Sequence, residues 1–279
     1  MRITIIGTGL IGGSIALALR DLNIASHIIG VDASEEHLQK ALALQIIDEA
    51  ALLEDAVQQS DLVILSIPVH AAEKLLPRIM DMVTTQVVMD TGSTKEQIIN
   101  SVKEHPKRSR FVATHPMWGT ENSGPEAAVH HAFAGKVTVI SGKEQSDPEA
   151  LSLVESIYHK LGMSLIYMDP AAHDLHAAYV SHISHITSFA LANTVLEKEK
   201  EEDAIFAMAS AGFESTVRLA KSNPEMWVSI FMQNRENILD VLNEHIGQLR
   251  KFKSCLEKEN EVYLAELIGN ANKIRKILK

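Results

Sequence analysis

Cysteine is almost missing from this chain: one residue, Cys255, in 279 leaves no internal disulfide framework and fits a reducing compartment, so a cytoplasmic protein is expected. Long apolar runs are missing too, and no stretch reaches the length that spans a bilayer, so no membrane partner is expected. Positive charge is in short supply. The 26 Lys and Arg against 36 Asp and Glu leave a formal net charge of −10, which argues against a general nucleic-acid binder, since phosphate neutralisation needs clustered cations. An anionic small molecule would therefore have to meet a local cationic pocket. The opening residues lack the small-residue cleavage site of a secretory leader and instead carry glycines where a strand would turn into a helix. At 46% hydrophobic and 22% charged, the chain has an ordinary globular balance and is long enough for two cores.

Residues 2 to 6 form a short apolar run, then come Gly7-Thr8-Gly9-Leu10-Ile11-Gly12-Gly13 and a second apolar stretch from Ile15. The pattern reads as strand, glycine turn, buried helix. A second strand over His27 to Val31 ends at Asp32, and Ser34 to Leu44 has helical spacing. Further strands are predicted over Leu62 to Ile67, Val87 to Met89, Phe111 to Ala113, Val137 to Ile140 and Leu165 to Tyr167, with helical stretches between most of them. Alternation of this kind predicts a mainly parallel, doubly wound α/β sheet of the Rossmann type. The pattern changes at Asp169-Pro170, a helix start in which the acid caps free amides and proline takes the first helical position. Beyond it only helices are predicted, over 170–198, 201–221, 224–255 and 259–279. The expected organisation is thus α/β then all-α: a nucleotide-binding domain over 1–168 and a helical domain over 169–279. A small helical domain with this much apolar surface is expected to bury part of it in a homodimer.

Gly7, Gly9 and Gly12 match the dinucleotide fingerprint, and Asp32 lies twenty residues beyond Gly12, where a carboxylate would grip ribose hydroxyls. Thr8, Leu10 and Ile11 would supply the backbone amides that face the pyrophosphate. Asp32 would repel a 2′-phosphate and no arginine follows it, which favours NAD over NADP. Ser66-Ile67-Pro68 ends a strand on the ligand edge of such a sheet and either lines the ribose and nicotinamide or forms an ordinary strand-end turn. Two chemistry-bearing segments follow neighbouring strands: Asp90-Thr91-Gly92-Ser93-Thr94-Lys95, and His115-Pro116-Met117-Trp118-Gly119-Thr120-Glu121. An alcohol can give up hydride only if something takes its hydroxyl proton, and His115 is the candidate base, with Ser93 placed to orient it.

Taken in order, these segments, then His173-Asp174, Ser181-His182-Ile183-Ser184-His185, Gly212-Phe213, Arg218, Asn223-Pro224-Glu225-Met226-Trp227 and Asn234, resemble the prephenate and arogenate dehydrogenases of tyrosine biosynthesis over almost the whole chain. The resemblance implies NAD-dependent oxidation of the prephenate ring hydroxyl with loss of CO2, giving 4-hydroxyphenylpyruvate. It implies that Ser93 bonds His115, that Arg218 pairs with a substrate carboxylate, and that Ser181 and His185 line the substrate and nicotinamide pocket. Thr120 and Glu121 would lie near the substrate side chain or the gate of the site, Lys95 would be a second cation and Trp227 a pocket wall. The chain departs from the pattern at Ser184, where proline is common, at Ser215, where an acid is common, and at Val217, where threonine precedes the arginine. No fused mutase or regulatory domain is expected. The histidines His173, His176, His182 and His185 lack the Glu-x-x-His arrangement of a helical metal site, so no metal is expected. Arogenate as substrate, a β-hydroxyacid dehydrogenase or imine reductase, and a non-catalytic NAD sensor are the competing readings.

Overall fold

The computed structural model describes residues 1–200 and 205–277. Its centre is one eight-stranded sheet in the order β3-β2-β1-β4-β5-β6-β7-β8. The strands are β1 (Arg2–Ile6), β2 (His27–Val31), β3 (Glu49–Ala50), β4 (Leu62–Leu65), β5 (Val87–Asp90), β6 (Phe111–Pro116), β7 (Val137–Ser141) and β8 (Ser164–Met168). Pairing is parallel throughout except at β6 and β7, which run antiparallel from Ala113↔Ser141 to Pro116↔Thr138. The reversal turns the chain back after His115 by a long connection rather than a crossover helix.

Helices α1 (Leu10–Asp21), α2 (Glu35–Ala43), α3 (Leu53–Gln58), α4 (Val69–Met82), α5 (Glu96–Ser101) and α6 (Pro148–Lys160) cover the sheet. The central strands read as continuous apolar runs because both faces are buried. Alternate residues serve opposite cores: Ile3, Ile5, Leu62 and Ile64 pack with Ile15 and Leu19 of α1, whereas Ile6, Val63 and Leu65 pack with Leu76 and Ile79 of α4. The sheet edge at β3 is only two residues long, too short to show as an apolar run.

Beyond β8 no strand occurs among the described residues. The helices are α7 (Pro170–Ala177), α8 (Ile183–Glu199), α9 (Ala211–Val217), α10 (Pro224–Gln233), α11 (Arg235–Glu257) and α12 (Glu261–Ala271). Asp169 caps α7 by accepting from Ala171 and Ala172, and Asn223 caps α10 by accepting from Glu225 and Met226. The helix expected over 170–198 is interrupted by a π turn at Ala178–His182. That expected over 224–255 is two helices, because Asn234 leaves helical geometry (φ −106, ψ 28) and spends its side-chain amide on the Asp174 carbonyl, 2.7 Å away. Of the helix expected over 201–221, residues 201–204 lie outside the described residues, and the remainder holds α9 between two 3-10 turns. Residues 278–279 of the last expected helix also lie outside them.

The chain forms two compact units, Met1–Asn234 and Arg235–Lys279. Helices α7 to α10 therefore belong to the unit that carries the sheet; Trp227 and Ile230 of α10 share an apolar cluster with Val69 at the start of α4.

Candidate active site

The strand order reverses at β1, which lies between β2 and β4, and open α/β sheets bind ligands at the carboxyl ends of strands at such a point. Gly7 turns out of β1 with φ +95, and a Cβ there would collide with the Ser66 carbonyl at the end of β4. At Gly12 a Cβ would strike the Gly7 carbonyl oxygen, so α1 can approach the turn only with glycine there. Gly9 is the N-cap of α1, and among the described residues no side chain caps the helix and no acid lies in its first turn. The amides from Leu10 and Ile11 onward are left for an anion. Asp32, at the end of β2, accepts from the Thr8 amide (2.9 Å), the Thr8 hydroxyl (3.1 Å) and the Ser34 amide (2.9 Å), which locks the carboxylate beside the glycine turn. This cradle fits a dinucleotide: glycine backbone for the pyrophosphate, a fixed carboxylate for the ribose. Ser66 and Ile67 border it, the Ser66 hydroxyl bonding Thr91 at 2.9 Å, and Pro68 is the N-cap of α4.

His115 stands near the end of β6, 8% exposed. The segment that follows returns over α1: Gly119 comes near Ile11, and the Val129 amide donates to Ser14 at 2.9 Å. His115 Nδ1 pairs with His173 Nε2 at 2.9 Å, and its Nε2 has no protein partner among the described residues. Burial, reinforced by His173, Lys95 and His182, holds its imidazole well below the usual histidine pKa, so the ring is neutral and able to accept a proton. Two expectations are corrected here. The Ser93–His115 bond does not occur among the described residues, because His173 occupies Nδ1 and Ser93 has no hydrogen-bond partner there. Lys95 is not a pocket cation: it is fully buried, its ammonium bonded to Asp90 and to the Thr114 carbonyl at 2.7 Å. A buried ammonium needs such partners, and Asp90 at the end of β5 supplies the charge.

On the helical side, His185 Nδ1 donates to the Ser181 carbonyl at 3.0 Å, leaving Nε2 as an acceptor. Its ring stacks on Trp227 with centroids 3.5 Å apart, and Trp227 packs in turn with Val69, Phe189 and Phe231. Trp227 is thus a buried anchor that backs His185 and ties it to the β4 end of the cradle. Arg218, half exposed, donates to Glu121 at 2.8 Å. A bond from its own backbone amide, together with the Arg218 guanidinium, holds the Glu121 pKa below the usual range. Thr120 accepts from the Asn122 amide at 3.2 Å and shapes the same loop. Ser184 and Ser215, two of the departures, are exposed. His173, Asp174 and Asn234 were visible in the sequence as motif residues, but no spacing announced that His173 would meet a histidine 58 positions away. Among the described residues no group of three or more His, Cys, Asp or Glu is arranged to hold a metal ion.

A dinucleotide cradle, a neutral histidine at the end of β6 and an arginine tied to the loop that follows it define an oxidoreductase of the dehydrogenase class. Residues 15–167 match the prephenate dehydrogenase nucleotide-binding domain and residues 169–270 the prephenate dehydrogenase dimerization domain. The chain belongs to the prephenate dehydrogenase family. It is 30% identical to a prephenate dehydrogenase of Bacillus subtilis over 98% of this chain and 75% of that one. The crystal structure of a prephenate dehydrogenase from Aquifex aeolicus, in complex with hydroxyphenyl propionate and NAD+, superposes with a TM-score of 0.91 at 30% identity, covering 100% of this chain and 98% of that one. An arogenate dehydrogenase structure from Synechocystis gives a TM-score of 0.75 at 27% identity, covering 100% of both chains. Family membership sets aside the β-hydroxyacid dehydrogenase alternative.

Proposed function

We propose that this chain is an NAD-dependent dehydrogenase that oxidises prephenate to 4-hydroxyphenylpyruvate with release of CO2. The observation that carries the reading is the segment from His115 to Glu121: one end holds a neutral imidazole at a strand terminus beside the cradle, the other holds Arg218. Gly7, Gly9, Gly12, the α1 amides and Asp32 would hold NAD, which would supply the hydride acceptor. His115 takes the ring hydroxyl proton at Nε2 as the carbinol carbon becomes a carbonyl, and the electrons of the breaking C–CO2 bond aromatise the ring. Arg218 meets a substrate carboxylate with its remaining donors, and Glu121 holds the guanidinium in place until then. Ser93, just beyond the end of β5, and Ser181 and His185, on the helical side, line the substrate. Asp32 favours NAD over its phosphorylated form by charge.

The division at 168/169 separates the nucleotide-binding from the helical domain, and the two family matches support it. The match to a dimerization domain and the exposed Leu249, Leu256, Val262 and Ile268 of α11 and α12 support a homodimer. Scarce cysteine supports a cytoplasmic location; no described helix is long and apolar enough to cross a membrane. A second reading, arogenate as substrate, draws on the Synechocystis relative. Steady-state assays of prephenate and arogenate, each with NAD and NADP, separate the two: prephenate with NAD should give equal NADH and CO2 at the highest kcat/KM. Preference for arogenate overturns the substrate, and turnover of neither overturns the enzyme.

A further inference from the structure

Behind His115 lies a chain of buried polar groups that the proposed reaction does not by itself require. His115 Nδ1 meets His173 Nε2 at 2.9 Å, and His173 Nδ1 meets Asp174 Oδ1 at 2.7 Å. His173 and Asp174 are 3% and 2% exposed. Asp174 is itself fixed: Oδ1 accepts from the Lys95 amide at 2.7 Å and Oδ2 from the Glu96 amide at 3.0 Å, so α7 caps the start of α5. Its carbonyl accepts from Asn234 at 2.7 Å. We infer that His173 and Asp174 are positioning residues that set the tautomer of His115 and leave Nε2 bare to receive the substrate proton.

The direction of the chain follows from its acidic end. A carboxylate whose two oxygens already accept backbone amides can only accept, so His173 must donate from Nδ1. A neutral imidazole that donates from Nδ1 has a bare Nε2, which then accepts the Nδ1–H of His115. His115 is left with its lone pair on Nε2, the nitrogen that has no protein partner among the described residues. When Nε2 gains the hydroxyl proton, the new O–H to N–H exchange makes an imidazolium whose Nδ1–H already points at His173, with the Asp174 carboxylate behind it to stabilise the charge. Lys95 and His182 are the other titratable groups near the ring. Lys95 is neutralised by Asp90, and His182 accepts from Asn234 at Nδ1, 3.1 Å away, so neither competes for the proton. The perpendicular packing of the two rings, centroids 5.1 Å apart at 69°, allows the in-plane nitrogen of one to meet that of the other without stacking.

The inference rests on the proposed function only in assigning the proton to a substrate hydroxyl; the tautomer can be read without substrate. Two-bond 1H–15N spectra of protein labelled at histidine, with His115→Asn identifying the signal, should show His115 protonated at Nδ1 and bare at Nε2 around neutral pH. In His173→Leu the signal should move toward the Nε2–H form that imidazole side chains favour in water. kcat should fall on the order of a hundredfold, with KM and NAD affinity within about twofold. His173→Gln keeps one donor and one acceptor and should recover about tenfold of that loss. A wild-type His115 protonated at Nε2 overturns the inference, and so does a His173→Leu protein with unchanged tautomer and kcat. If His173→Leu does not fold, the wild-type spectrum decides alone. Absence of turnover in the wild type would sink the proposed function and leave the spectrum to judge the tautomer.

Discussion

His115, Arg218 and His182 show how much of the site's behaviour is set by single side chains and their nearest charges. Arg218 is half exposed and already paired, so its removal leaves no buried orphan and should act on substrate binding. Arg218→Ala is expected to raise KM by roughly ten- to a hundredfold, the worth of a charge-assisted hydrogen bond, with a smaller change in kcat. A KM equal to the wild type would remove the carboxylate role. His182 is 1% exposed, and burial pushes its pKa down to about 4. In the unfolded chain a histidine titrates near ~6.5, so as pH falls below that point the unfolded state takes up the proton first and stability declines. The stabilisation is complete above about pH 6.5 and is lost toward pH 4, by roughly 3 kcal/mol from this residue, with His115 acting in the same direction. Denaturant midpoints measured between pH 4 and 7 should therefore rise with pH; a flat profile would contradict the buried neutral state.

At the scale of elements, the site depends on where strands and helices end. Gly7 and Gly12 let β1 and α1 meet closely enough to leave a row of open amides, and His115 is held in the last rungs of β6, paired with Val139 of the antiparallel β7. A π turn spans Ala178–His182, and the Ser181 carbonyl at its end accepts from the His185 ring. Helix α10 carries Trp227 and is started by Asn223 accepting two amides. Asn223→Ala should cost about 1 kcal/mol, read as a lowered denaturant midpoint with an unchanged slope, and should loosen Trp227 behind His185. A midpoint equal to the wild type would show that Pro224 alone starts the helix. The break at Asn234 was not legible in the sequence. Its cause lies elsewhere, in the Asp174 carbonyl that claims the asparagine side chain.

At the scale of the molecule, α11 and α12 form a unit of their own, and two helices cannot enclose a core. Leu256 and Val262 are 67% and 84% exposed there, an arrangement that a second copy would relieve. Sedimentation or light scattering is expected to give twice the 30.7 kDa of one chain at micromolar concentration; a stable monomer would refute the homodimer. Charged substitution at both Leu256 and Val262 should shift that equilibrium toward monomer if these residues lie in the interface.

The sequence by itself determined the alternation of strands and helices, the glycine turn with Asp32, the switch to helices after Asp169 and the prominence of His115. These are local facts, written in apolar period, cap residues and turn chemistry within a few positions of one another. Only the tertiary structure decided what touches His115. It put His173 where Ser93 was expected, buried Lys95 against Asp90 instead of opening it to a ligand, and joined Glu121 to Arg218 across 97 positions. Such choices depend on which strand ends and helix starts the fold brings side by side, and on the rule that a buried charge or imidazole must find a partner. That rule acts on three-dimensional neighbours, and the order of residues along the chain does not record them.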